Sequence, residues 1–529
     1  MGLWNLYFIL KLSLYFADLI DFHVWLNFAL ALALLLTRTL PKPWAWLRNA
    51  AALALAVVLF YHDTRFPPFE RLIAQTDLLS QFSWNYLSEL LGRFINPMVV
   101  AGCLGVMLAA QMASRKLRLS SFVLLAIFPV VPLFEYLQHA GPLRGAPMQA
   151  LAGGDSQSSG IAPPGATGKP DNAALDQALQ AFYKTQAGRQ IEFPKPGPGP
   201  DFDVLILQIC SMAWDDLQLA GMADNSPLTR FDLLFRQFNT ATAYSGPAAI
   251  RLLRATCGQT PHSALYDQAP SSCYLFNQFA AAGFERQMLM NHDGVFGDML
   301  KEIQTYGGLN VQPLDTKGLP TLSLAFDGSV IQDDDAVLDH WLELRKRSPA
   351  QRVALFYNTA SLHDGNHPVG TRDGANSAAG YAGRLKRLFS DLDLLFNQIE
   401  ASGRRVVLIM IPEHGADSRG DRMQIPFMRE NPSPAITLAP VGVRFFGLPK
   451  PAAPIDIPQP ASYIDLAGLL RDIIQQNPYA SDGPDMRTLA SGIGSTPHVA
   501  ENDGSVVVRY GQDYYIRYKD SAWTEYQYR

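Results

Sequence analysis

The apolar residues of this chain are distributed in two different ways, and that division limits what it can fold into more than any other feature. In the first 138 positions they form five long runs, at roughly 3–20, 22–37, 45–61, 94–113 and 122–138; beyond residue 172 they form short runs alternating with helical patterns. A helix needs ~20 apolar residues to cross a bilayer core, so several of the runs are short, and Lys11 and Asp18 interrupt the first. They still predict an anchor of about five α-helical spans over residues 1–138. A signal peptide is the rival reading of the first run, but a basic start and a small-residue cleavage site are missing and further runs follow. Composition agrees with an anchor: 48% of the 529 residues are apolar and 17% charged, which is apolar for a wholly soluble protein.

Basic residues beside the runs set the orientation. Arg38, Lys42 and Arg48 follow the second run, and Arg115, Lys116 and Arg118 follow the fourth, which places both loops in the cytoplasm. The loop 62–93 mixes both signs of charge, and Phe69–Leu91 has the pattern of an amphipathic helix lying in the opposite interface. Five spans with a cytoplasmic start deliver everything after Leu137 to the far side, the periplasm in a bacterium. A four-span anchor of reversed orientation is the alternative. Residues 139–172, rich in Gly, Pro, Ala and Ser, read as a flexible tether, and residues 173–529 as a catalytic domain.

In that domain the strand candidates are Asp203–Cys210, Gln351–Asn358, Arg404–Ile411 and Ala435–Phe446, all continuous apolar runs. Helical patterns cover Ser226–Phe238, Gly246–Ala255, Val337–Arg347 and Ala378–Ala401, and another runs from Asn172, as N-cap, to Gly188. The alternation predicts an α/β domain with a mainly parallel sheet covered by helices on both faces. Gly504–Trp523 reads as a β-hairpin forming an edge element.

Chemistry-bearing residues stand where these strands end, which in open α/β sheets is where ligands bind. The run Val406–Ile411 is closed by Pro412 and followed by Glu413 and His414. Cys210 ends the first strand. Ser245 precedes Pro247 at a helix start, where free amides and the helix dipole favour a phosphate. His363 lies in the loop after the strand 351–358, with His367 four residues on. Taken singly these are ordinary features: a solvated turn, an inert core thiol, an N-cap serine, an exposed histidine. Together they form the donor set of a borderline-soft cation, and the sulfur favours Zn²⁺ over Mg²⁺ or Ca²⁺. Zinc would activate the Ser245 hydroxyl, so the set suits phosphoryl transfer through a seryl intermediate. The net charge of −5 without a large basic cluster argues against nucleic acid, and no CxxC pair supports redox chemistry.

The order of strand-end ligand, hydroxyl at a helix start, loop histidine and Glu-His-Gly resembles the alkaline phosphatase superfamily. More closely, ICSMAWDDL, TAYSGPAAIRLLRATCGQ, LMNHDGVFGDML, YNTASLHDGNH and IPEHGADSRGDRMQIPFMRE resemble the bacterial cellulose phosphoethanolamine transferase family, over essentially the whole chain. Cys210 is the distinguishing residue, since lipid A phosphoethanolamine transferases have an acidic ligand there. The resemblance implies an alkaline-phosphatase-like domain with Ser245 as nucleophile. It also implies Cys210, His363, Glu413 and His414 as zinc ligands, with Ser245 beside them. It implies phosphatidylethanolamine as donor and the 6-hydroxyl of cellulose glucosyl units as acceptor. The setting it implies is the lipid bilayer of the bacterial inner membrane, beside the cellulose synthase complex. The rivals are a transferase acting on another envelope glycan or on lipid A, a phosphatase or phosphodiesterase, and a scaffold with a vestigial site. A sulfatase is disfavoured because Gly-Pro-Ala follows Ser245 without the Arg of a CxPxR-type motif.

Tyr244, His292, His367 and Arg429 are weaker candidates for substrate contact, with Asp293, Arg419 and Arg422 behind them. Trp214, Tyr244 and Tyr274 are candidates for stacking on sugar. In an oxidising compartment Cys257 and Cys273 are expected to pair, and closing a loop of ~15 residues contributes about 3 kcal/mol. Cys103 reads as an apolar residue within a span.

Overall fold

A computed structural model of the protein describes residues 4–17, 19–37, 39, 41–64, 97–114, 119–133, 160–163, 168–370, 378–449, 451–481, 483–519 and 521–528. Phe69–Leu91 and most of the stretch 139–172 lie outside the described residues. The chain divides into two units, Met1–Pro147 and Met148–Arg529.

In the first unit each expected run contains a helix: Trp4–Phe16, Val24–Leu36, Lys42–Asp63, Pro97–Ala113 and Leu119–Leu125, the last continued by a π-turn, Ala126–Val130. Among the described residues one of them, the 22-residue helix Lys42–Asp63, is long and apolar enough to cross a membrane. Trp4–Phe16 and Val24–Leu36 have 13 residues each, about 20 Å of rise against a core of about 30 Å. Five spans are therefore reduced here to five apolar helices with one of spanning length. The charge in the first run is matched across helices. Lys11 Nζ lies 2.8 Å from Asp63 Oδ2 with both side chains buried, and Asn27 bridges them, accepting from Lys11 at 2.9 Å and donating to Asp63 at 2.8 Å.

The strands of the second unit, in chain order, are β1 Asp203–Ile209, β2 Leu233–Asn239, β3 Glu285–Met290, β4 Thr321–Leu324, β5 Val330–Gln332, β6 Val353–Thr359, β7 Val406–Pro412, β8 Leu438–Phe446, β9 Ile455–Ile457, β10 Val499–Asn502, β11 Ser505–Tyr510, β12 Asp513–Tyr518 and β13 Thr524–Glu525. Seven form the central sheet in the order β3-β6-β1-β7-β8-β2-β9. The sheet is mixed: β8 runs antiparallel to both β7 and β2, while the other pairs are parallel. Alternate residues of each strand feed two cores. Val204, Ile206, Val407 and Ile409 pack with Leu252, Leu253 and Leu470 on one side; Leu205, Leu207, Leu408 and Met410 pack with Trp341, Leu388 and Phe396 on the other. Burial on both faces is why these strands read as continuous apolar runs.

Three expectations need correction. Ser226–Phe238 is not a helix: it holds a short 3₁₀ turn, Leu228–Arg230, and then β2. Leu228, Phe231, Phe235 and Phe238 fall at helical spacing, but the strand is held between β8 and β9 and tertiary pairing overrides the pattern. Asp171, not Asn172, caps the helix Asn172–Ala187, accepting from the Ala174 amide at 2.8 Å. The hairpin β11–β12 belongs to a separate antiparallel sheet, β10-β11-β12-β13, rather than to an edge of the central one. Leu175, Leu179 and Phe182 of the helix Asn172–Ala187 pack on that sheet against Val499, Val506, Val508 and Tyr515.

Candidate active site

The register of the three middle strands builds the site. Ile209 of β1 lies opposite Thr359 of β6 and Pro412 of β7, so these strands end flush. The chain then hands Cys210, Glu413 and His414 into one space. The Glu413 amide donates to Ile209 O at 2.8 Å and the Met212 amide to His414 O at 2.6 Å, which locks the two turns together. Gly415 is required beside them, because a Cβ there would meet Ala213 Cβ at 2.6 Å and Asp216 Oδ2 at 2.8 Å.

One donor atom each from Cys210, Glu413 and His414 lie within 4.8 Å of one another, all three residues buried. Ser245 opens the helix Ser245–Leu253, with Tyr244 as its N-cap. Its Oγ stands 3.2 Å from His414 Nε2 and 3.6 Å from Cys210 Sγ. His414 Nδ1–H donates to Gly415 O at 2.9 Å, which fixes the tautomer and leaves an Nε2 lone pair facing the serine. Burial, then the Arg429 guanidinium, holds His414 well below the ordinary histidine range. Burial, then the Glu413 carboxylate, pushes the Cys210 thiol up to about 12.

These residues fit a metal ion. Glu413 Oε1 accepts from Asn358 Nδ2 at 2.6 Å, whereas Oε2 is buried without a hydrogen-bond partner among the described residues. An orphaned carboxylate oxygen, a buried thiol and an imidazole with its lone pair inward leave the charge of the cluster to be met by a cation.

The other predicted residues take varied places. His363 stays outside the 4.8 Å set; its Nδ1–H donates to Asp364 O at 2.7 Å and its ring stacks on Phe326 at 5.3 Å. Burial, then Arg429, lowers His363 to about 4, so it is neutral at pH 7. Arg429 does join the site, with Nη1 3.1 Å from both ring nitrogens of His414 and 3.4 Å from Ser211 Oγ. His292 acts one step back. Its Nδ1 accepts from the Gly294 amide at 3.2 Å, so Nε2–H donates to Asn358 Oδ1 at 2.7 Å, and Asn358 in turn holds Glu413. Tyr244 OH donates to Glu430 Oε1 at 3.2 Å. His367 pairs through its backbone with Leu324, its Nδ1 lying 3.2 Å from Gly365 O, outside the donor set. Arg419 faces Asp215 at 3.7 Å. Trp214 and Tyr274 are buried, Trp214 under the Arg236 guanidinium at 4.9 Å, and neither presents a stacking face. Cys257 and Cys273 are joined by a disulfide.

Profiles of known protein families match along this chain. The C-terminal domain of cellulose biosynthesis protein BcsG matches residues 161–523, and the N-terminal domain of the same protein matches residues 4–131. The chain belongs to the BcsG family. It is 38% identical over 543 residues to cellulose biosynthesis protein BcsG of Escherichia coli (strain K12), covering 99% of this chain and 96% of the relative. It is 37% identical over 544 residues to BcsG of Salmonella typhimurium (strain LT2), with the same coverage. Among solved structures it is similar to a protein in the alkaline phosphatase superfamily from Vibrio parahaemolyticus, with a TM-score of 0.47 and 14% identity over 68% of this chain and 89% of that one. Every site residue named above lies within the span matched by the BcsG C-terminal domain.

Three residues of this BcsG chain that hold the site together escaped the sequence reading. Asn358, the penultimate residue of β6, ties Glu413 to His292 and to Gln208; a polar residue near the end of a buried strand was its visible signal. Asp216 accepts from the Ala213, Ala416 and Ser418 amides and from Ser418 Oγ, clamping the loop after His414. Burial pushes its carboxyl up to about 6 despite those bonds. Asn502, on β10, accepts from the Ala243 amide and Thr242 Oγ1 and donates to the carbonyls of Arg429 and Glu430. It thereby fixes the loop before Ser245 to the loop that carries Arg429, and no local pattern marks it.

Proposed function

We propose that this chain is a zinc-dependent phosphoethanolamine transferase of the bacterial inner membrane. It moves phosphoethanolamine from phosphatidylethanolamine to the 6-hydroxyl of glucosyl units in nascent cellulose. BcsG family membership supports the cellulose setting beside the synthase complex. The observation that carries the chemistry is Ser245 Oγ at a helix start, 3.2 Å from His414 Nε2 and 3.6 Å from Cys210 Sγ. The five apolar helices of the first unit support a multi-pass anchor over residues 1–138, with a tether at 139–172 and a periplasmic catalytic domain at 173–529. The Cys257–Cys273 disulfide agrees with an oxidising compartment.

Cys210, Glu413 and His414 would hold the zinc ion, with Ser245 on its reactive side. His363, outside the 4.8 Å set, would be a further ligand through Nε2, its Nδ1–H being engaged by Asp364 O. A bound zinc ion lowers the pKa of the serine hydroxyl and offsets charge on the phosphoryl oxygens. Ser245 Oγ bonds to the lipid phosphorus as the bond from phosphorus to the diacylglycerol oxygen breaks; the serine proton leaves on that oxygen, a phosphoethanolamine-serine ester remains, and in the second half the glucan hydroxyl proton returns to Oγ. His414, its tautomer fixed by Gly415 O, turns its one lone pair, on Nε2, into the donor cluster beside Ser245 Oγ. Arg429 supplies hydrogen bonds to phosphoryl oxygens in both half-reactions. The glucan hydroxyl then attacks the same phosphorus, which frees Ser245 and completes the transfer.

The test is intact mass of the full-length protein in detergent after incubation with phosphatidylethanolamine and a rapid quench. A phosphoethanolamine adduct that maps to Ser245 and vanishes in Ser245→Ala is the expected result. Release of the head group by zinc-loaded protein with no adduct at any quench time would move a hydrolase ahead.

A further inference from the structure

The helix Met299–Thr305 lies alongside the nucleophile helix. From it Glu302 reaches the residue next to Ser245: a Cβ added at Gly246 would overlap Glu302 Oε2. Only glycine at position 246 admits the carboxyl there. Among the described residues no side chain or amide hydrogen-bonds to that carboxyl and no cation lies within ion-pair distance; Lys301, paired with Asp298, acts on it only from farther off. Tyr266 and Tyr306 stand nearby, edge to face at 5.3 Å, and Glu302 is among the charges acting on the Tyr266 phenol. Burial, then the like charge of Asp298, pushes the Glu302 carboxyl up to about 7, which an arriving cation would offset.

We propose that Glu302, with Tyr266 at its side, is the subsite for the ammonium of the group transferred through Ser245. The assignment rests on the phosphoethanolamine reading above. In a phosphoethanolamine ester the ammonium lies two methylenes from oxygen, so on Ser245 it sits about 5 Å from the serine oxygen by ordinary bond lengths. A carboxyl over the adjacent residue is within that reach. A carboxylate gives an ammonium a charge-assisted hydrogen bond, and an aromatic ring adds a cation–π contact. The rival role for Glu302 is to sit at a helix N-terminus and favour its dipole. That role acts on folding and treats all substrates alike, whereas an ammonium subsite discriminates between them.

The experiment compares p-nitrophenyl phosphoethanolamine with p-nitrophenyl propyl phosphate, which replaces the ammonium by a methyl, using full-length protein in detergent. The wild type is expected to favour the ammonium ester in kcat/KM. Glu302→Gln is expected to reduce that preference about tenfold or more, largely through KM, and Glu302→Asp to reduce it less. Loss by one factor on both esters would overturn the assignment. If Glu302→Gln does not accumulate as folded protein, Glu302→Asp carries the test, and a preference equal to wild type in it overturns the subsite. A wild type without preference for the ammonium ester overturns the subsite and the phosphoethanolamine reading together. A preference that survives in Glu302→Gln overturns the subsite alone.

Discussion

At the start of β1, Asp203 is buried and fully engaged: Arg345 donates at 3.0 and 2.9 Å, Arg404 at 2.9 Å and the Val353 amide at 2.9 Å. Seven residues along the same strand line, Cys210 faces Glu413, whose Oε2 has no hydrogen-bond partner among the described residues, and His414, whose Nε2 meets Ser245, Arg429 and that carboxylate. Both ends are buried and polar, and they differ in whether the protein supplies its own partners. A complete set fixes the strands to one another. An incomplete set keeps free energy available for an ion and a substrate.

Three measurements tell the two ends of the strand apart. The largest effect is expected at the complete end. Asp203→Ala leaves Arg345 and Arg404 facing a void, and it should lower the stability of the catalytic domain by about 3–5 kcal/mol in urea denaturation. Metal bound per folded molecule should stay the same. A cost below about 1 kcal/mol would mean the paired end is not what fixes the strands. At the incomplete end Glu413→Gln should behave in the opposite way. Bound metal should fall, and turnover should drop about 10²–10³-fold, which is about 3–4 kcal/mol of barrier. The chelator-treated variant should unfold at the same urea concentration as the chelator-treated wild type, or a higher one, since an orphaned carboxylate oxygen has been neutralised. Unchanged metal content would break the assignment of this end to the ion.

The smallest effect concerns an intermediate case, Asp391 on the helix Ala378–Ser402. It is buried with one partner, the half-exposed Arg387, 2.9 Å away. Burial, partly offset by Arg387, pushes its carboxyl up to about 7. A folded-state value above the unfolded one, about 4, means that this contribution to stability is full below pH about 4. It is lost as pH rises from about 4 to about 7. With the burial effect discounted for solvent reaching the carboxyl, about 1–2 kcal/mol should disappear over that window, and Asp391→Asn should flatten the slope in denaturation curves between pH 4 and 8. A wild-type slope that persists in the variant would assign it to another group.

The strands that carry the site were legible because they are the most buried. β1, β6 and β7 sit in the middle of the sheet with both faces covered, so each is a continuous apolar run whose end is visible as the first reactive residue: Cys210, the loop to His363, Glu413 and His414. The outer strands were not. β3 begins with exposed Glu285 and half-buried Arg286 and Gln287, and carries no continuous apolar run. β2 imitates a helix because its apolar residues and those of the turn before it recur at 3 to 4 residues. The N-terminal unit was legible as apolar runs but not as helices of spanning length, since run length in sequence is not helix length: the first and second helices stop after 13 residues.

Local periodicity and side-chain chemistry are properties of neighbours along the chain. For that reason the division into an apolar N-terminal unit and an α/β unit, the core strands, and the donor residues at their ends could all be read along the chain. Tertiary structure decided the rest. The flush register of Ile209, Thr359 and Pro412, the hold of Asn502 on loops 260 and 73 residues away, and the approach of Glu302 to Gly246 all join distant segments. Whether a buried charge is complete, like Asp203, or open, like Glu413, depends on partners that only the folded chain brings within about 3 Å.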